Sequence, residues 1–259
     1  MTKAAAFARD LYLDLLRDVL INKIYDDPSI MPVKKTSIRR ILGMVDGTLG
    51  FKSEARERGM DWPSVAHSMI GAHRMENLRQ CVSRVIEDDI PGDLAETGVW
   101  RGGACIMMRG VLKAYGVTNR KVWVADSFAG LPKPKTEYKA DKADEHHNYD
   151  ALAVSQEQVA ANFSRYGLLD EQICFLKGWF RDTLPKAKID SLAVLRLDGD
   201  MYESTLDAME ALYDKVASGG FVIVDDYVMI QACREAVHDY LGKKNEKPDI
   251  KPIDGVGVF

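Results

Sequence analysis

Four carboxylates attract attention first because of where they fall. Residues 192–200 (LAVLRLDGD) form an apolar run that ends in Asp198 and Asp200, and residues 221–226 (FVIVDD) form a second that ends in Asp225 and Asp226. Short runs rich in Val, Leu and Ile are the pattern of strands covered on both faces. Acids at the carboxyl ends of such strands lie where open α/β sheets place their ligands. Carboxylates gathered there repel one another unless a cation sits among them. Oxygen donors with no Cys or His at matching spacing suit Mg²⁺ or a similar hard ion better than Zn²⁺. Asp198, Asp225 and Asp226 are therefore candidate metal ligands. Asp200, two residues past the strand end, is a candidate base facing a substrate, although a ligand and a base so close together can exchange roles. The plainer alternative is that Asp198 and Asp225 cap helices or sit in loops.

A second constellation lies upstream. The stretch Glu96-Thr97-Gly98-Val99-Trp100-Arg101-Gly102-Gly103 reads as a strand-to-helix junction. Its glycines allow a sharp turn and a close approach of backbone to ligand. The dinucleotide pattern GxGxxG is absent, and an acid before the first glycine would repel a pyrophosphate. A carboxylate at Glu96 suits an ammonium or a sulfonium instead; a tight turn without a ligand is the alternative. Asp126 ends the next run (VWVAD), where an acid can accept both hydroxyls of a ribose or cap the following turn. Gly178-Trp179-Phe180 ends a third run; its rings can wall an adenine or simply pack in the core. Of the five histidines, only His67 is placed to approach a ligand, while His146–His147 fall in a polar loop whose default state is solvated.

The elements that must position these residues follow from periodicity. Residues 4–25 read as a helix with an apolar face of Phe7, Leu11, Leu15, Leu16, Val19 and Ile24, widened by Leu13, Leu20 and Ile21. Such width suits contact with the domain and with a second subunit alike. Residues 26–61, broken by prolines and glycines, read as a partly helical lid or tether. A helix is expected over 64–87, with the turn SVAHSMIG (64–71) at its start. Strands over 93–98, 122–127, 173–177, 192–197 and 221–224 alternate with helices over 103–115, 155–167, 202–218 and 231–241, and residues 250–253 and 255–259 read as an antiparallel strand pair. This alternation predicts a mainly parallel sheet with helices on both faces. The boundary is expected after residue 61: an N-terminal helix and lid over 1–61, then one α/β domain over 62–259.

Composition narrows the function. With 35 basic and 39 acidic residues the net charge is −4, which argues against a general nucleic-acid binder. No apolar run is long enough to cross a bilayer, and the N-terminus does not read as a signal peptide. The four cysteines are widely spaced with no CxxC, which fits reduced thiols in a cytoplasmic protein.

Taken together, these residues resemble a class I S-adenosylmethionine-dependent methyltransferase. The blocks SVAHSMIG, DLAETGVWRGGACI (93–106), VWVADSF (122–128), NFSRYGL (162–168), LRLDGDMY (195–202) and VDDY (224–227) are similar, in order, to the macrocin O-methyltransferase family, which methylates sugar hydroxyls of glycosylated natural products. The resemblance implies a Rossmann-like fold with a mostly parallel seven-stranded sheet. It implies Mg²⁺ held by Asp198, Asp225 and Asp226, with Asp200 as general base. It implies S-adenosylmethionine touching Val65, Ala66, His67, Ser68, Met69, Glu96, Thr97, Gly98, Arg101, Asp126, Ser127, Gly178, Trp179 and Asp198. It also implies a glycoside acceptor, and a homodimer or homotetramer built partly through the N-terminal region. Because two neighbouring hydroxyls can chelate a divalent ion, the acceptor is expected to carry a vicinal diol. Residues 26–60 and 131–150 depart from the family pattern and are expected to select the acceptor. A catechol-type methyltransferase is the alternative enzyme, and a non-catalytic S-adenosylmethionine- or metal-binding module the alternative class. The missing GxGxxG disfavours a dehydrogenase.

Overall fold

The computed structural model describes residues 2–259. In chain order its elements are α1 (Lys3–Leu20), β1 (Ser29–Met31), α2 (Ile38–Ile41), β2 (Gly47–Leu49), α3 (Ser53–Glu57), α4 (Gly71–Glu87), β3 (Asp93–Thr97), α5 (Gly103–Ala114), β4 (Val122–Asp126), α6 (Gln156–Arg165), β5 (Ile173–Lys177), α7 (Phe180–Thr183), β6 (Leu192–Leu197), α8 (Tyr202–Leu212), β7 (Val216–Val224) and α9 (Gln231–Lys244). Five strands pair in parallel in the order β5-β4-β3-β6-β7. The chain winds outward from β3 to β5, then returns beside β3 and winds the other way. That reversal opens a crevice at the carboxyl ends of β3 and β6.

Strand residues alternate between two cores, as the pleat requires. Leu94, Val122, Val124 and Ile223 pack with α1, α4, α5 and α6. Ala95, Trp123, Ala125, Leu195 and Leu197 pack with α8 and α9. The sheet has five strands rather than seven. The tail forms isolated antiparallel bridges, Val224 to Val258 and Pro252 to Val258, instead of two further strands. Its hairpin does close, through Lys251–Phe259 and Ile253–Gly257 backbone bonds. Pro252 has no N–H to extend the ladder, and Asp254 turns the chain by accepting from the amides of Val256 and Gly257.

Helix α1 buries Leu13, Leu16 and Leu20, joined by Ile21 just beyond its end, and leaves Phe7, Leu11 and Leu15 exposed, as is Ile24 past the helix end. Of the expected main face only Leu16 is buried, and Leu13, Leu20 and Ile21, expected to widen it, meet the core with it. Gly110 on α5 decides this: a Cβ there would meet Leu16 Cδ2 at 2.3 Å, so the helices cross closely at that point. The helix expected from residue 64 begins at Gly71. Residues 64–70 form an irregular, bent segment held by outside partners. Asp27 accepts from the amides of Val65 (2.8 Å) and Ala66 (3.2 Å), and the Leu20 carbonyl accepts from His67 and Ser68. The helix over 202–218 stops at Leu212, and β7 begins at Val216 and runs through Gly219 and Gly220.

Residues 26–61 carry a short β1–β2 hairpin and two single-turn helices, gathered on Arg56. Its side chain is almost wholly buried, pairs with Asp27 and with Asp61 (2.9 Å), and donates to the Ile21 carbonyl (3.0 Å). Asp27 in turn holds residues 65–66, so this knot ties the N-terminal segments to the α/β domain. Replacing Arg56 by Met strands two buried carboxylates, and stability should fall by about 3–5 kcal/mol, read as a lowered urea midpoint of the full chain.

Candidate functional site

Four backbone hydrogen bonds set the strand ends side by side. The amide of Gly178 donates to the Asp126 carbonyl, Gly98 to Ala125, Asp198 to Thr97 and Asp225 to Leu197, each at 2.9 Å. The residue after each strand is thereby placed in one row along the crevice. Gly98 has φ +87°, and a Cβ on it would lie 1.8 Å from the Asp198 carbonyl oxygen; only glycine lets β3 and β6 end this close. Trp100, Phe128 and Asp200, none of them glycine, also take positive φ of 46°, 54° and 58°. Such strain gathers at sites where the surroundings hold it in place.

Above the row lies a cavity of 490 Å³ lined in part by Gly98, Asp126, Ser127, Gly178, Trp179, Asp198, Asp200, Asp225 and Asp226. One oxygen each from Asp198, Asp225 and Asp226 lies within 4.8 Å of the others. The three acids therefore converge as the strand pattern predicts. Two buried guanidinium groups support them. Arg196, in the middle of β6, pairs with Glu96, with Asp198 (2.6 Å) and with Asp225. Arg74 on α4 pairs with Asp225 and, at 3.3 Å, with Asp254. Both oxygens of Asp225 thus meet arginines, whereas buried Asp226 Oδ2 has no hydrogen-bond partner.

The two guanidinium groups pair with Glu96, Asp198, Asp225 and Asp254, and Asp200 and Asp226 stand beside them with no ion pair to either, so negative charge is in excess. Burial, with Asp225 nearby, raises Asp198. Burial and its three acidic neighbours raise Asp226 far above the carboxylate range. Burial pushes Asp200 up to about 7, opposed by His146 and helped by Asp198 and Asp144. Burial likewise pushes Glu96 up to about 7 against the pull of Arg196. An orphaned buried carboxylate oxygen among converging hard donors fits a divalent cation, which would relieve the repulsion.

Asp126 accepts from the amides of Val99 (2.8 Å) and Phe128 (2.7 Å) while still facing the cavity. Met69 lines the cavity as well. The other expected cofactor contacts do not line it. Glu96 and Thr97 are buried, and the Glu96 carboxylate meets Arg196 and the Cys105 thiol instead of the crevice. Arg101 donates to the carbonyls of Pro63 (3.1 Å) and Ala66 (2.8 Å), so it fastens residues 63–66 from behind. His67 Nδ1 meets the Tyr166 hydroxyl at 2.7 Å, and burial beside Arg165 and Arg101 lowers its pKa to about 4. Val65, Ala66 and Ser68 are not among its lining residues either, and their backbone amides are held by Asp27 and Leu20.

Several residues that shape the site lack a motif. Arg196 was legible only as a charge inside an apolar run, which a strand buried on both faces tolerates only when paired. Asp141 is buried and accepts from the first amides of α8, Tyr202 (2.6 Å) and Glu203 (3.0 Å), which folds the 131–151 loop back over the crevice. The Trp100 indole donates to the Ala151 carbonyl at 2.8 Å and pins the far end of the same loop. His146 then lines the cavity rather than sitting in a solvated loop.

The sequence profile described as Macrocin-O-methyltransferase (TylF) matches residues 9–259. The chain is 53% identical over 254 residues, 97% of its length and 92% of the relative's, to the 8-demethyl-8-(2,3-dimethoxy-alpha-L-rhamnosyl)-tetracenomycin-C 4'-O-methyltransferase of Streptomyces olivaceus. It is 51% identical over 251 residues, covering 96% of this chain and 92% of the relative, to the demethyldecarbamoylnovobiocin O-methyltransferase of Streptomyces niveus. Its structure is similar to that of the O-methyltransferase NovP, with a TM-score of 0.87 and 50% identity over 96% of this chain and 97% of that one. With the family profile spanning the fold and the site alike, the chain belongs to the macrocin O-methyltransferase family and is a methyltransferase.

Proposed function

We propose that this enzyme transfers a methyl group from S-adenosylmethionine to a sugar hydroxyl of a glycosylated small molecule, aided by a divalent cation such as Mg²⁺. The observation that carries the proposal is the convergence of Asp198, Asp225 and Asp226, with an orphaned Asp226 oxygen, in the cavity that also holds Gly98 and Asp126. The relatives named for rhamnosyl-tetracenomycin and novobiocin substrates support a glycoside acceptor.

Gly98, Asp126, Gly178 and Trp179 form the wall suited to the nucleoside, with Asp126 facing the ribose hydroxyls. When bound, S-adenosylmethionine would supply the methyl group as an electrophile on its sulfonium. A divalent cation held by Asp198, Asp225 and Asp226 would act as a Lewis acid toward an alcohol oxygen and make its proton easier to remove. Asp200 takes that proton: its carboxyl faces the cavity and titrates at about 7, close to the working range of a general base. Arg196 and Arg74 hold Asp225 from behind, so the acids keep their arrangement without bending toward solvent. The cavity walls orient the hydroxyl against the methyl donor and limit competing water. The exposed stripe Phe7, Leu11 and Leu15 on α1 supports self-association, as a dimer or tetramer, through the N-terminal region.

Two outcomes test this reading. On an O-rhamnosyl glycoside, Asp200→Asn should lower kcat at least about 100-fold, and Asp198→Asn should lower it at least as far. Calorimetry should show that Asp200→Asn leaves S-adenosylmethionine affinity unchanged, and unchanged turnover would refute the assignment. The second outcome concerns pH. Asp200 and Glu96 titrate higher in the folded chain than in an unfolded one, so their contribution is complete below the ordinary carboxyl range and lost as pH rises through about 7. The Tm in divalent-free buffer should therefore fall across that window, and added magnesium should restore it, most strongly at the alkaline end.

A further inference from the structure

The 131–151 loop brings one more side chain to the acids. His146 lines the same cavity as Asp198, Asp200, Asp225 and Asp226. Its ring is held rather than free: Nδ1 lies 2.6 Å from Asp144 Oδ2, and its own amide donates to Asp144 Oδ1 at 2.9 Å. A carboxylate only accepts, so Asp144 selects the tautomer that carries its proton on Nδ1. Nε2 is left without a hydrogen-bond partner among the described residues, able to accept in the neutral ring and to donate in the protonated ring that Asp144 and Asp200 favour.

The segment that carries this pair is fastened on both sides by the other lid. Glu145 pairs with Lys34. Asp150 pairs with Lys35 (3.1 Å) and Arg40 (2.7 Å). The Lys35 amide donates to the Asn148 carbonyl at 2.8 Å, and the rings of Trp62 and Tyr149 meet edge to face at 5.4 Å. An oriented imidazole with a free ring nitrogen beside the candidate base matches the needs of an alcohol. Each hydroxyl of a sugar ring brings a donor and an acceptor that must find partners once water is excluded.

We propose that His146 binds the acceptor directly: Nε2 forms a hydrogen bond with the sugar hydroxyl next to the one that is methylated, and Asp144 holds the ring for that contact. The assignment rests on the sugar-methylation reading above. It gives the enzyme a means to select which of two neighbouring hydroxyls faces the methyl donor.

The test uses the full-length enzyme, an O-rhamnosyl glycoside, and its counterparts lacking one ring hydroxyl at a time. His146→Ala should raise the acceptor KM about tenfold on the intact sugar. On one of the deoxy counterparts, wild type and variant should have the same KM, because the partner of Nε2 is already gone. Asp144→Ala should follow the same pattern and Asp144→Asn should recover most of the affinity, since its amide oxygen still accepts from Nδ1. S-adenosylmethionine affinity by calorimetry should be unchanged in all three variants, which separates this contact from a folding defect. Equal losses on the intact sugar and on every deoxy counterpart, or no loss at all, would overturn the assignment while leaving the sugar reading standing. Failure of the wild type to methylate any glycoside of the set would overturn that reading, and this assignment with it.

Discussion

Everything at the crevice depends on an imbalance of buried charge. Six carboxyl groups, Asp254 among them, gather around two guanidinium groups, Arg196 and Arg74. Desolvation penalises each ionised acid, and the arginines offset only part of that penalty. Asp225 takes contacts from both arginines, whereas Asp226 has a buried oxygen with no partner. The surplus is stored where β6 and β7 end, and the parallel ladder keeps those ends from moving apart. A protein with no use for a cation or a proton acceptor there would gain stability by replacing such groups with apolar ones.

The same logic explains why the surroundings are so heavily tied. Arg101, which looks like a ligand contact in sequence, faces away from the cavity and fastens the backbone at Pro63 and Ala66. Arg56 and Asp27 fasten the same segment from the other side. Asp141 and Trp100 fold the 131–151 loop over the crevice. These charged groups therefore act as supports. A site built from strained turns, with positive φ at Trp100, Phe128 and Asp200, requires such supports to persist.

The relation between residues 26–60 and 131–150 also becomes physical. Residues 33–40 and 144–150 lie far apart in the chain, yet ion pairs, one backbone hydrogen bond and a cation–π contact of Lys34 with the Tyr149 ring join them into one cover. Most of these ion pairs are solvent-exposed, so each contributes little to stability. Their effect is on arrangement: they hold the loop that presents Asp144 and His146 to the cavity.

What the sequence determined by itself is local and periodic. Apolar runs ending in acids disclosed β6 and β7 and the cluster of Asp198, Asp225 and Asp226, because strand period and strand-end position are written in neighbouring residues. The alternation of strands and helices disclosed the parallel sheet, and the ordered blocks disclosed the family. Contacts between distant segments were decided only by the tertiary structure. The start of α4 at Gly71 rather than at residue 64 depends on Asp27 and Leu20, which compete for the amides that a helix would have used. Which stripe of α1 turns inward depends on Gly110 of α5. The tail adds bridges instead of strands because of Pro252 and the Asp254 turn. His146 gives no periodic signal, and its place beside the acids follows from Asp141 capping a helix about sixty residues further along the chain. Pairings of that kind are set by which buried polar groups remain unsatisfied once the chain is packed, and no single stretch of sequence carries that information.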